Sequence, residues 1–203
     1  GRARLPLPVA AFLNGTAGTM LELDEGNQYC RGHPPIHVVP AALAAADRRG
    51  ASGRALIRAL VLGYEIGARI GIASTLRVTM HPHGTWGTVG AAVAAAALAG
   101  ADAAAMLQGG TVRNTYAGVS NQLGLVAVEL AGAGFVGEPD GVASVFGTVA
   151  GDGFRPEEMT RELGSRWEIA RNYFKRHAAC RYTHGALDAL GAILAETGRV
   201  APD

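Results

Sequence analysis

The sequence predicts a mainly α-helical protein whose architecture changes near residues 134–155. Long stretches rich in Ala, Leu and Val place apolar side chains close to the 3.6-residue period of a helix. Glycines and prolines collect between these stretches, where they mark turns. The 203 residues are 49% hydrophobic and 17% charged, which is typical of a well-buried globular protein.

The predicted helices follow one another closely in the first two thirds of the chain. Pro40 suits the first turn of the second helix, Ser52 is the expected N-cap of the third, and Asp102 is the expected cap of the fifth. Trp86 and Tyr64 are predicted to lie in the core. The helices are expected over residues 5–21, 40–48, 53–72, 85–100, 102–107, 113–132 and 182–196, with a loop over 74–84.

Directly after Gly134 the apolar residues no longer follow the helical spacing seen in the first two thirds of the chain. Residues 138–141 read Glu-Pro-Asp-Gly, a turn, and residues 142–150 lose the helical period. Residues 167–170 are predicted to be strand-like. We therefore expect a helical domain over residues 1–140 and the start of a second domain over residues 141–203.

Charge and cysteine content exclude several classes of protein. The net charge is +1 and aromatic residues make up 6%, so neither nucleic acid nor a membrane surface is an expected partner. Cys30 and Cys180 are too few for a disulfide framework or an iron–sulfur cluster. No apolar run approaches the ~20 residues needed to span a bilayer, and a reducing cytoplasm is the expected location.

Residues 22–40 form the first candidate site. Glu22, Asp24 and Glu25 fall within four positions, and His33 and His37 follow among prolines and glycines. Carboxylates in a turn between apolar helices are unfavourable unless they are paired or used in chemistry. The structural alternative is a helix end whose glutamates pair with arginines such as Arg31.

Two further segments concentrate polar groups. His81 and His83 precede a predicted helix N-terminus, whose free N–H groups suit a carboxylate. Residues 173–184 hold Lys175, the only lysine among 18 basic residues, close to Arg181. Together these groups suit proton transfer near an anionic substrate. By default His37, His83, His177 and His184 are assigned structural roles, although His83 is also a candidate for substrate binding.

Metal and nucleotide cofactors are not expected. His33 and His37 are four residues apart, but two prolines follow His33, and no Cys-x-x-Cys pair or His-Glu-x-x-His motif is present. The Rossmann glycine signature and the Walker loop are absent too. The chain is therefore predicted to need no cofactor and no metal.

Three segments resemble the MmgE/PrpD family, which contains 2-methylcitrate dehydratase, cis-aconitate decarboxylase and iminodisuccinate epimerase. They read AAFLNGTAGTMLELDEG with GHPPIHVVPAALAAAD, MHPHGTWGTVGAAVAAA, and NYFKRHAACRYTHGALDAL. The resemblance implies an all-helical domain followed by a smaller α+β lid, a homodimer, and no cofactor. Members are longer at both ends, so the chain resembles an internal portion of one.

The resemblance also implies site residues. Glu22-Leu-Asp24-Glu25 matches the family's acidic loop, His33 and His81 match its two active-site histidines, and Lys175 matches its lysine. Three positions depart from the usual pattern: Gly26 replaces a common threonine and so removes a hydroxyl, Arg113 stands where some members have lysine, and Ala178 replaces a proline.

The leading hypothesis is a cofactor-independent lyase of the 2-methylcitrate dehydratase type, acting on a small di- or tricarboxylate. The expected catalytic residues are His81, Asp24, His33 and Lys175; the expected substrate-binding residues are Glu22, Arg113, Arg181 and His83. Two alternatives stay open. One is an epimerase or decarboxylase of the same family, and the other is a non-catalytic helical or dimerisation protein with an incomplete site.

Overall fold

The computed structural model describes residues 4–77, 80, 85–99 and 116–198. The mainly α-helical class predicted from the sequence is confirmed. The helices are α1 (Leu7–Thr19), α2 (Pro34–Arg49), α3 (Gly53–Ala73), α4 (Gly87–Ala99), α5 (Tyr116–Gly132), α6 (Gly141–Ser144), α7 (Glu157–Thr160) and α8 (His184–Thr197). Two short strands, β1 (Ser74–Leu76) and β2 (Gly151–Phe154), pair antiparallel.

Helix α4 is at the centre of the helical region, where it contacts α2, α3 and α5. Its alanine-rich sequence is buried on nearly every side, as expected for a helix that is apolar all round. The helices α3 and α4 are in close backbone contact at Gly63 and Gly90. A Cβ at Gly63 would lie 2.6 Å from the Gly90 carbonyl oxygen, so only glycine permits this contact.

Helix α2 begins six residues earlier than predicted. Pro34 and Pro35 occupy its first turn, and Pro40 lies inside the helix rather than at its start. A proline inside a helix cannot donate to the carbonyl four residues earlier, here that of Ile36. Asn121 of α5 replaces the missing bond: its Nδ2 donates to the Ile36 carbonyl at 2.8 Å, and its Oδ1 accepts from the Ala41 N–H at 2.7 Å.

Hydrogen bonds from buried charged side chains join residues 157–171 to helix α3. Arg69 pairs with Glu65 at 2.7 Å and donates to the carbonyls of Glu158 and Arg161. The other Glu65 oxygen accepts from the Glu168 N–H at 2.7 Å. Glu168 is fully buried and pairs with two arginines, Arg166 and Arg171.

The strand predicted at residues 167–170 is wrong. Residues Glu168–Arg171 form a 3₁₀ turn instead, since a short turn brings both arginines back to the Glu168 carboxylate. The turn at 138–141 is confirmed by the Gly141 N–H, which donates to the Glu138 carbonyl. The stretch predicted to lose helical period, residues 142–150, contains most of α6 and a π-helical turn at Val145–Val149, and β2 begins directly after it.

Most other helix predictions agree with the structure. The Ser52 hydroxyl caps α3 by accepting from the Ala55 N–H, and both Trp86 and Tyr64 are buried. Strand β1 was missed inside the predicted loop at 74–84. The helix predicted at 102–107 lies outside the described residues. Within the described ranges, no helix is both long and apolar enough to cross a bilayer.

Candidate active site

Two distant segments meet at the candidate site through one antiparallel bridge. The Gly26 N–H donates to the Tyr173 carbonyl at 2.9 Å, and the Tyr173 N–H donates to the Gly26 carbonyl at 2.7 Å. Antiparallel pairing continued by two residues places Asp24 opposite Lys175. Side chains alternate between the faces of an extended segment, so Asp24 and Lys175 share one face while Glu25 points to the other.

Lys175 is the cation of this face. Its Nζ lies 2.8 Å from Oδ1 of Asp24 and 3.3 Å from Oε2 of Glu22. The Lys175 side chain is fully buried and that of Asp24 is 4% exposed, whereas Glu22 is 47% exposed. The structure thus brings together three of the predicted site residues, and the partner of Glu22 is a lysine rather than an arginine.

His33 completes the cluster from the N-cap position of α2. Its Nδ1 lies 3.3 Å from Oδ2 of Asp24 and is hydrogen-bonded to the Glu25 carbonyl. Both neighbours are acceptors, so Nδ1 carries the proton of a neutral imidazole and Nε2 carries the lone pair. Burial lowers the pKa of His33, although the Asp24 charge opposes this shift. The ring is therefore neutral near pH 7.

Glu25 lies on the opposite face, buried against helix α3. Its Oε1 accepts from the Tyr64 hydroxyl at 3.4 Å, and its Oε2 has no hydrogen-bond partner among the described residues. Burial, reinforced by the Asp24 charge, raises the pKa of Glu25 to about 9. The carboxyl is therefore protonated at neutral pH. The alternative in which Glu25 pairs with Arg31 is wrong, because Arg31 is exposed and Glu25 faces inward.

Asn27 holds this acidic loop in place, and the sequence reasoning missed it. Its Nδ2 donates to the Tyr64 hydroxyl at 3.4 Å and to the Glu168 carbonyl at 3.0 Å. Its Oδ1 accepts from the N–H groups of Tyr29 and Cys30, in an Asx-type turn. An Asn that begins a turn was the available sequence signal. Tyr64 was assigned to the core alone, yet its hydroxyl reaches Glu25.

Comparisons with known proteins show the family of this chain. Residues 1–112, more than half of the chain, match the model of the MmgE/PrpD N-terminal domain. The chain belongs to the MmgE/PrpD family. A cis-aconitate decarboxylase-like protein, oryM, of Aspergillus oryzae (strain ATCC 42149 / RIB 40) is 29% identical over 220 residues. That alignment covers 89% of this chain and 45% of oryM, so the chain spans less than half of that relative's length.

Arg181, which was predicted to bind substrate, and three of the histidines that were assigned structural roles have other partners. Arg181 is exposed, and its guanidinium carbon lies 5.3 Å from the centre of the Tyr173 ring rather than at Lys175. His177 pairs with Asp188 at 2.8 Å and stacks edge-on with His184, on the side of α8. His37 is buried with its ring edge-on to Trp86.

Three predicted residues, His81, His83 and Arg113, lie outside the described residues. Within the part of the chain that the structure describes, no group of three His, Cys, Asp or Glu side chains is arranged to hold a metal ion. The chemistry available at the described site is therefore a buried ammonium, a paired carboxylate, a neutral imidazole and a protonated carboxyl.

Proposed function

We propose that the protein is a cofactor-independent lyase that abstracts a proton from a small di- or tricarboxylate and eliminates water, as a 2-methylcitrate dehydratase does. The observation that supports this proposal most strongly is the cluster of Lys175, Asp24 and His33, assembled from two distant segments. A carbon acid needs a base close to a cation that stabilises the developing enolate-like charge. This cluster has both.

Substrate binding follows from the two unequal partners of Lys175. Asp24 is buried and lies 2.8 Å away, while Glu22 is half-exposed and lies 3.3 Å away. Of the two carboxylates at Lys175, only Glu22 is open to solvent, so it is the partner that an incoming anion can displace. A substrate carboxylate therefore replaces Glu22 at the ammonium, and Asp24 keeps Lys175 in position.

Proton transfer is assigned to His33 and Asp24. With Nδ1–H held by Asp24 and the Glu25 carbonyl, Nε2 of His33 is the basic nitrogen. Asp24 orients the ring and stabilises the imidazolium that forms. The ammonium of Lys175 offsets the charge on the substrate. We retain His81 as a catalytic residue for proton transfer and assign to it the protonation of the leaving hydroxyl. Its replacement by alanine is expected to lower turnover by about 10²–10⁴-fold.

A second candidate is decarboxylation of a small unsaturated triacid. The name of the relative oryM, a cis-aconitate decarboxylase-like protein, favours it. Here the bond to a carboxylate breaks rather than a C–H bond. Lys175 then stabilises the electron pair left behind, and a protonated group returns a proton to carbon. Epimerisation would need the same base, with the proton returned from the opposite side.

The test is to follow 2-methylcitrate, cis-aconitate and iminodisuccinate by NMR in D₂O with the purified protein. Dehydration yields a new unsaturated triacid, decarboxylation releases carbon dioxide, and epimerisation exchanges a C–H for deuterium. We expect turnover of one acid, and a loss of about 100-fold or more in Asp24→Asn. Asp47→Asn, an exposed site on α2, is the matched control and should leave the rate unchanged.

Two results would contradict the proposal. Equal rates in Asp24→Asn and the parent would show that the cluster takes no part in the reaction. A folded parent that turns over none of the acids would favour the non-catalytic helical protein.

A further inference from the structure

The ring of Tyr173 occupies the space next to Gly26 in which a side chain would lie. A Cβ built on Gly26 would be 2.2 Å from Cζ of Tyr173 and 2.3 Å from its hydroxyl oxygen. Such distances do not occur between real atoms, so the phenol packs directly on the Gly26 backbone. The two residues are also the bridged pair that joins the segments.

Tyr173 lies on the face that holds the ion pair. Directly opposed residues of an antiparallel pair point to the same side, and so do residues two apart in one extended segment. Tyr173 therefore lies beside Lys175 on one segment, as Gly26 lies beside Asp24 on the other. The Arg181 guanidinium lies over the Tyr173 ring, with its carbon 5.3 Å from the ring centre.

We propose that Tyr173 is a substrate-binding, specificity-determining residue whose hydroxyl donates a hydrogen bond to an oxygen of the acid held at Lys175. Its ring also limits the size of that acid, because it fills the space above Gly26. This inference rests on the proposed function, since it assigns a further contact within the same site. It adds a neutral donor to the ammonium, which suits an acid with several carboxylates or a hydroxyl group.

The protonation state of the phenol supports a donor role. Burial, together with the charges of Glu25 and Asp24, raises the pKa of Tyr173 above its ordinary value of 10.0, while Arg181 opposes the shift. The hydroxyl therefore keeps its proton at every pH at which the protein is assayed. A phenolate would instead repel an acid at this face.

The first measurement is the affinity of the purified protein for citrate, 2-methylcitrate and cis-aconitate by calorimetry, in the parent and in Tyr173→Phe. This change removes only the hydroxyl, and Tyr182→Phe is the matched control because Tyr182 is 93% exposed. We expect affinity for the bound acid to fall about tenfold in Tyr173→Phe, as for a hydrogen bond to a charged group. The control should bind as the parent does.

The second measurement tests the placement of the ring. Gly26→Ala adds a Cβ that must push the Tyr173 ring aside, so its affinity should fall as much as that of Tyr173→Phe. In a Tyr173→Ala background the three atoms closest to this Cβ are gone, since all three belong to the Tyr173 side chain, so Gly26→Ala should then have no further effect on affinity.

The outcomes are distinguishable. If the parent binds an acid and Tyr173→Phe binds it equally well, the inference is overturned and the proposed function stands. If Gly26→Ala weakens binding equally with and without Tyr173, the ring does not mediate the effect and the inference is again overturned. If the parent binds none of the acids, the proposed function fails and this inference fails with it.

Discussion

Replacing Glu25 with glutamine is expected to flatten the pH dependence of the protein's stability. The pKa of Glu25 is raised from 4.5 to about 9 by burial and by the Asp24 charge. Between these two values the native protein binds one more proton than the unfolded chain, so raising the pH favours unfolding. Each pH unit in this window lowers the free energy of unfolding by about 1.4 kcal/mol.

The size of the expected effect follows from this change in unfolding free energy per pH unit. Between about pH 5.5 and about pH 8, the Glu25 contribution to the free energy of unfolding falls by about 3 kcal/mol. Glutamine has no proton to lose and keeps an oxygen for the Tyr64 hydroxyl, at 3.4 Å in the parent. Its additional buried N–H costs about 1 kcal/mol at any pH. The variant is therefore less stable than the parent below about pH 5 and more stable near pH 8.

Urea unfolding at a series of pH values measures this difference, because subtracting the two curves cancels every other titrating group. A crossing of the two stability curves is the expected result. Parallel curves for Glu25→Gln and the parent would refute the reasoning, since they would show that Glu25 is ionised in the native state at neutral pH.

Three further predictions follow from the same contacts. Lys175→Met is expected to lower the free energy of unfolding by about 3–5 kcal/mol, because Asp24 is left buried without its cation. Adding Asp24→Asn should recover part of this loss. No recovery in urea unfolding would contradict the pairing of Lys175 with Asp24. Asn121→Ala should destabilise by about 2–4 kcal/mol, since it leaves a carbonyl and an N–H of α2 unpaired; a change below about 0.5 kcal/mol would exclude the role assigned to this side chain. In the active protein, the acid limb of kcat/KM should lie below pH 6.5, because burial lowers the pKa of His33; a limb above that value would assign the base to another group.

The lysine and the acidic loop of the candidate site could be predicted from the sequence, because their residue types alone marked them as candidates. The only lysine and the acidic loop were both identified as candidates, and the structure pairs Lys175 with Asp24. The register that brings them together depends on a bridge between segments about 150 residues apart, which no local pattern encodes. The contacts of Tyr173 with Gly26 and of Tyr64 with Glu25 were missed for the same reason. The Tyr173 ring and hydroxyl occupy the space that a side chain at Gly26 would fill.

Helix boundaries were predictable only where local chemistry decides them. Ser52 caps α3 as expected, because a serine hydroxyl is suited to a free helix N–H. Pro40 was misplaced because its effect depends on Asn121, a residue on a different helix. The turn at Glu168 was predicted as a strand since its conformation depends on buried ion pairs, which override a weak local preference.

The central claim is that Lys175 forms the anion site of a small polycarboxylate. Its most direct test is the melting temperature with and without citrate, 2-methylcitrate, cis-aconitate, iminodisuccinate and malate. At about 100 times its Kd, one acid should stabilise the parent by about 2.7 kcal/mol, a rise of about 5–10 °C. Arg176→Met, which removes a neighbouring exposed charge, should keep this rise, and Lys175→Met should lose it. An equal rise in Lys175→Met, or no rise in the parent with any acid, would contradict the account.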